Sequence, residues 1–437
     1  MRRREFLKYS AAALAAPFIR TARAETGSIK VAVIGAKTGP LAPGAAVTQF
    51  LAFKLWAHEV NERGGLKLKS GQRKIELIEY DDHTQPPEAI KAVERAINVD
   101  KVEWVSGMYA TGFNLAVAPT FAKYGYPLFA VACVTDQAPG LIKKYPGFFL
   151  FNTSTTNYAK GAIDVLKKLK DGGQIGNKVA VVNVADDFGI ELANAGRLLF
   201  KEAGFEIVYD KSYPLGTQDY SPVIKAAKAA GPDAFVAWSY PPDTFGLADQ
   251  AKIEGLNVKA YYSAVGTDFE GFSQKFGAAA ENVLGAGGAG DSPEIRAFYK
   301  RHKEVTGADA DHWGSLRNYE TLQVLTQSIE SVGVMDREAI ADYVRKNTFT
   351  TIDGEISLPG QMMDKVYTVG QWQNGYFHGV NGVNRTDFVP VKVKTGWARL
   401  DCRRLTRRQL HAGRHLKKSN HRVAVNGWGP VSQSKGS

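Results

Sequence analysis

Residues 29–44 read Ile29-Lys30-Val31-Ala32-Val33-Ile34-Gly35-Ala36-Lys37-Thr38-Gly39-Pro40-Leu41-Ala42-Pro43-Gly44. The first eight form an apolar, β-branched run. The rest is a loop punctuated by glycine and proline. Short apolar runs bounded in this way suit strands buried on both faces. A helical segment follows to about Asn61. The same alternation continues with a strand at 75–82, a helix at 86–98, a strand at 102–109, a helix through Phe121 and a strand at 127–132. Alternation at this spacing predicts βαβ units and parallel sheets.

The pattern then starts again, after a boundary near Phe149–Asn152. Helices are expected at 159–170 and 190–203, with strands at 178–184, 206–211, 234–238 and 259–263. Helices at 294–306 and 316–332 come next. Strands near 352–358, 366–372 and 376–378 close the series, the last two joined by the turn Gln373-Asn374-Gly375. Two successive parallel-sheet halves in 437 residues predict an α/β chain of two lobes.

The ends differ from the body. Arg3-Arg4-Glu5-Phe6-Leu7-Lys8 has the twin-arginine form, Tyr9–Ile19 is apolar, and Ala22-Arg23-Ala24 is a small-x-small site. These parts in this order predict an export signal over 1–24, cleaved after Ala24, and a periplasmic mature chain. The formal charge of +11 comes from the ends: +5 in 1–24 and +9 in 396–437, leaving −3 for the body. An acidic body argues against a nucleic-acid partner. The arginine-rich segment 396–437, with Arg403, Arg404, Arg407 and Arg408, reads as an unstructured basic tail. No apolar run in the body reaches 18 residues, so no span is expected there. Cys133 is the body's single cysteine, which leaves no internal disulfide there.

Catalytic motifs are scarce. Gly285-Ala286-Gly287-Gly288-Ala289-Gly290 matches G-x-G-x-x-G, but Asp291-Ser292-Pro293-Glu294 separates it from the next helix. Two carboxylates there would repel a diphosphate, so the segment reads as a glycine-rich crossing between lobes. Metalloprotease, hydrolase and Walker motifs do not occur. Asp81-Asp82 reads as a turn cap and Cys133 as core. No enzyme activity, cofactor or metal is expected.

In open parallel sheets, ligands bind at the carboxyl ends of the strands. Those ends read Gly39-Pro40-Leu41, Tyr109-Ala110-Thr111-Gly112 and Val134-Thr135-Asp136 in the first half. In the second half they read Asp186-Asp187-Phe188-Gly189, Tyr240-Pro241-Pro242 and Ala264-Val265-Gly266. Hydroxyls, aromatics and glycines dominate. Thr111-Gly112 opens a helix, where a hydroxyl and free N–H groups suit a carboxylate.

Over residues 28–380 the chain resembles the branched-chain amino-acid (Leu/Ile/Val-type) solute-binding proteins of ABC importers. The resemblance rests on element order and on Ile29–Leu41, Gly64-Gly65, Tyr80-Asp81-Asp82, Ser106–Thr111, Asp187-Phe188-Gly189 and the Q-W-x-x-G of Val366–Gly375. It implies the type I periplasmic binding fold: two Rossmann-like lobes with parallel-type sheets, joined by three hinge crossings near 150, 285 and 353. The lobes would be 27–150 with 285–352, and 151–284 with 353–395. It implies a monomer that captures a small carboxylate-bearing solute and delivers it to a membrane permease, or a periplasmic sensor subunit of the same fold. Leu41, Tyr109, Ala110, Thr111, Val134, Thr135, Phe188, Tyr240 and Val265 fall at its ligand positions. Thr111 would hold a carboxylate, and Thr135 would meet amino and carboxyl groups. At 263–266, where such proteins commonly place an acid for the ammonium, this chain has none, and Asp268 is the nearest. A carboxylate without an amine, or an amide, then fits as well. Phe113 and Trp313 join Tyr109, Phe188 and Tyr240 as candidates for an apolar wall.

Overall fold

The computed structural model describes residues 27–397. The expected signal with its cleavage after Ala24 lies outside the described residues, as does the tail from Ala398 onward.

Ile29–Gly35 is the middle strand of a parallel three-stranded sheet, between Ile75–Asp81 and Trp104–Val105. Ile29, Val31, Ala32, Val33 and Ile34 are all buried. Cover on both faces explains why the run is continuous rather than alternating. A parallel bridge joins Tyr109 to Ala132, next to the parallel pair Leu128–Ala130 and Phe148–Leu150.

A second sheet has seven strands in the order 376–383, 366–373, 284–285, 260–263, 234–238, 178–184 and 206–213. Pairings among the last five are parallel; both pairings of 366–373 are antiparallel. Parallel neighbours need crossovers, and helices Asp187–Glu202, Ser221–Ala229 and Pro241–Glu254 lie between the strands they connect. The architecture is α/β with mostly parallel central sheets, as the alternation predicted.

Several elements differ in extent. The strand expected over 102–109 is only Trp104–Val105. Gly107 lies against the Phe129 carbonyl, and the Asn114 side chain takes the place of a strand partner. Its Oδ1 accepts from Met108 N at 3.0 Å, and its Nδ2 donates to Met108 O at 2.9 Å and Ala110 O at 3.0 Å. The strand expected near 352–358 is a hairpin, Phe349–Thr351 with Gly354–Ile356. Gly354 has φ +94°, which suits a tight turn and breaks a straight strand. Helix Thr155–Asp171 starts earlier than expected because Ser154 Oγ accepts the Asn157 N–H at 3.1 Å. The hairpin Leu66–Leu68 with Gly71–Arg73 and the helix Arg337–Lys346 were not expected.

The glycine-rich segment packs tightly. Gly287 and Gly288 have φ of +99° and +84°, and Gly288 lies against Gly370 and Gly379. The next helix begins only at Pro293, capped by Ser292 Oγ, which accepts Ile295 N at 3.2 Å.

The folded chain runs past the expected boundary at 396. Trp397 is buried, its Nε1 donates to Leu256 O at 3.0 Å, and its ring meets Tyr261 edge-on at 4.9 Å. Lys394 Nζ sits 4.2 Å over that ring. Trp397→Ala should therefore cost about 3 kcal/mol, typical of a large aromatic removed from a core. A urea melt will check this: the midpoint should fall clearly, whereas an unchanged midpoint would mean the indole is not part of the core.

Candidate functional site

The carboxyl ends of strands from the two halves meet at a narrow, nearly filled cavity of about 10 Å³. Tyr109, Ala110, Ala132, Cys133 and Val134 line one side, next to Trp313. Phe188, Tyr240 and Val265 line the other. Phe188 stacks on Tyr240 at 5.0 Å and 28°, and Tyr109 lies 6.2 Å from Tyr240. The lining is mostly apolar and aromatic, the kind of wall the body of a small organic solute packs against.

Local sequence sets each ring. Tyr240 precedes Pro241, and its hydroxyl donates to Asp186 Oδ2 at 2.9 Å. Asp186 also caps the Asp187–Glu202 helix by accepting Gly189 N at 3.0 Å. That cap places Phe188 in the first turn, facing inward. Tyr109 is held by the Asn114 turn, and its hydroxyl packs where a β-carbon at Gly44 would collide with it. Trp313 stands at the start of the Gly314–Val332 helix, where Asp311 accepts Trp313 N at 2.9 Å, Ser315 N at 3.0 Å and Ser315 Oγ at 2.6 Å.

Ala110 is the strained point. It has φ +79° and ψ 147°, at the start of the Thr111–Tyr124 helix. Non-glycine residues avoid this region, and such strain concentrates at ligand sites.

No charged side chain lines the cavity. Acids surround it at one remove. Burial pushes the Asp243 carboxyl up to about 6, while it accepts Tyr220 Oη at 2.8 Å and Tyr240 N at 3.2 Å. Asp268 is fully buried, and burial, with Asp311 beside it, pushes its carboxyl well above the usual range. Asp268 Oδ1 accepts Gly266 N at 3.1 Å, which turns that oxygen toward its own loop. Burial likewise pushes the Cys133 thiol well up, so it is neutral wall rather than nucleophile. Among the described residues no group of three or more His, Cys, Asp or Glu could hold a metal ion.

A family model described as "periplasmic binding protein" matches residues 28–376. The chain belongs to the periplasmic binding protein family. A Leu/Ile/Val-binding protein homolog of Brucella suis is 26% identical over 303 residues, covering 64% of this chain and 72% of the relative. A leucine binding protein of Thermotoga maritima superposes with a TM-score of 0.67 at 24% identity, covering 82% of this chain and 99% of that one. A solute binding protein of an ABC transporter from R. palustris, in complex with 4-hydroxybenzoate, gives 0.68 at 22%, covering 84% and 98%. These likenesses show the type I periplasmic binding fold.

Of the nine positions the family resemblance singled out, six meet at the cavity: Tyr109, Ala110, Val134, Phe188, Tyr240 and Val265. Leu41, Thr111 and Thr135 do not line it. Leu41 is buried at the start of the Ala42–Ala45 turn, its N–H donating to Thr84 Oγ1 at 3.3 Å. The Thr111 hydroxyl is occupied: it donates to Val134 O and accepts Val134 N, both at 3.2 Å. Thr135 Oγ1 donates to Glu191 at 3.2 Å and accepts Gln137 N at 3.1 Å. Thr111 is thus paired with the Val134 backbone, and Thr135 with the Glu191 side chain and the Gln137 N–H. Trp313 reaches the wall, whereas Phe113 does not. Ala132 and Cys133 were missed because the sequence shows them only as strand residues.

Relief of the strain at position 110 is directly measurable. Ala110→Gly should raise the stability of the unliganded protein by about 1 kcal/mol, since such a conformation costs roughly 1–3 kcal/mol and glycine's extra chain entropy offsets part of the gain. The urea midpoint should rise with an unchanged slope; a lower midpoint would contradict the strain.

Proposed function

We propose that the chain is the solute-binding subunit of an ABC importer, taking a small carboxylate-bearing solute with a hydrophobic body into this cavity. The carrying observation is a neutral, aromatic-walled space at the carboxyl ends of both sheets. One wall begins at Ala110, where the Thr111–Tyr124 helix presents its first N–H groups. Such a helix start favours an anion. The lobes would be 27–150 with 285–352, and 151–284 with 353–395, hinged at crossings near 150, 285 and 353. Closure would bury the solute, and the loaded monomer would present it to a permease on the periplasmic side. No catalytic step is part of this reading.

The family resemblance points to a hydrophobic amino acid. A second reading, an aromatic or aliphatic acid or an amide without the α-amine, is favoured by the uncharged lining, because an ammonium buried without a charged partner is costly. Calorimetry with L-leucine, 4-methylpentanoate and 4-hydroxybenzoate separates the two. Leucine at least tenfold tighter than 4-methylpentanoate supports the amino acid; the reverse order supports the acid. In a thermal melt, a bound solute at 100 times its Kd adds about 2.7 kcal/mol. No melting shift with any hydrophobic carboxylate would overturn the proposal.

A further inference from the structure

The first turns of the Asp187–Glu202 helix carry two acids, Asp187 and Glu191, spaced four apart and so on one face. Neither lines the cavity, yet Phe188 between them does. Asp187 meets chain that follows strand Trp104–Val105, and Glu191 meets chain that follows strand Leu128–Ala130. Glu191 accepts Thr135 Oγ1 at 3.2 Å, the Asp136 N–H at 3.4 Å and Gln137 Nε2. A fourth donor, Thr155 Oγ1 at 2.8 Å, anchors it on its own side. Next to it, Asp136 accepts Thr156 N at 3.0 Å and Thr156 Oγ1 at 2.7 Å.

Asp187 reaches the start of the Thr111–Tyr124 helix. A β-carbon built at Gly112 would stand 2.6 Å from Asp187 Oδ2 and 3.6 Å from its Cβ. Glycine leaves the space the carboxylate fills. A carboxylate is favourable against a helix start, where N–H groups carry partial positive charge. Further along the same seam, a β-carbon at Gly216 would stand 3.2 Å from Pro40 Cγ.

We infer that Asp187 and Glu191 form an acidic latch that fastens the 178–285 sheet side onto Gly112 and the 135–137 turn, setting solute affinity without touching the solute. This rests on the reading of two lobes closing on a solute. Glu191 sits beside the 151–154 crossing and fixes the turn that carries Val134. Asp187 sits farther out and engages the helix start next to Ala110. Both are positioning residues. The contacts favour the closed form over the open one with or without solute, which raises the share of protein able to hold a solute and so adds to its apparent affinity.

The test has a solute-free arm and a binding arm. In the first, Gly112→Cys with Asp187→Cys is oxidised and its free thiols are counted. A Cβ–Cβ separation near 3.6 Å lies in the disulfide range, so the pair should close into a disulfide. Both thiols remaining free under oxidant would overturn the latch, whatever the solute. In the second, Kd and dissociation rates are measured with L-leucine and 4-hydroxybenzoate. Glu191→Gln should weaken binding roughly tenfold, as loss of charge-assisted hydrogen bonds implies. Asp187→Ala and Gly112→Ala should each cost about two- to fivefold, the scale of a charge at a helix end. The double variant should cost no more than either, because both remove one contact. Faster release with an unchanged melting temperature of the free protein is expected. Wild-type affinity in all variants overturns the latch while leaving the binding function standing. Binding of neither probe by the wild type overturns the ligand class, and the disulfide then decides the latch alone.

Discussion

Asn114 holds the chain in the turn on which the site depends. Its side chain bonds both polar groups of Met108 and the Ala110 carbonyl. Those bonds end the strand after Val105 and force Ala110 into a conformation that side chains avoid. Three consequences follow in order. Tyr109 turns its ring into the cleft, the Thr111–Tyr124 helix starts at the cavity wall, and Thr111 comes within reach of Val134. The Thr111–Val134 pair then ties two neighbouring strand ends into one surface. On the opposite side, Asp186 does equivalent work, capping a helix and holding Tyr240 through one carboxylate.

The cavity is uncharged because nearby acids are engaged elsewhere. Asp186 and Asp243 accept tyrosine hydroxyls and backbone N–H groups, and Asp311 caps a helix. Asp268 is buried beside Asp311, which favours its neutral form. Such an arrangement keeps aromatic rings in place while leaving a cavity wall on which shape and apolar contact dominate. Asp187 and Glu191 do not line the cavity: Asp187 faces a helix start, and Glu191 accepts from hydroxyl, amide and backbone donors.

Most of the fold was legible in the sequence because its strands are buried on both faces. The run 29–36 and the strands 178–184 and 234–238 announce themselves as short apolar blocks, and the structure places the last two at the stated bounds. Elements held by side chains were harder to read. The strand at 102–109 is cut short by Asn114, a residue six positions beyond Met108, and no periodicity reports that bond. The hairpin at 349–356 hides behind β-branched residues on either side of Asp353-Gly354. At the site, aromatic residues at strand ends were readable, since strand ends in parallel sheets face the cleft. The contacts of the threonines were not legible: a hydroxyl after a strand looks like a ligand donor, and only the fold shows Thr111 paired with Val134 and Thr135 with Glu191. The end of the folded chain was set too early because Trp397 stands alone beyond the last apolar run.

The central claim is that the two sheets with their helices close on a solute at the Ala110 turn. Small-angle scattering on the protein with and without saturating L-leucine, and again with 4-hydroxybenzoate, tests it most directly. Hinge closure predicts a smaller radius of gyration with the solute that binds, and no change with one that does not. An identical radius of gyration with and without a solute that calorimetry shows to be bound would contradict the account.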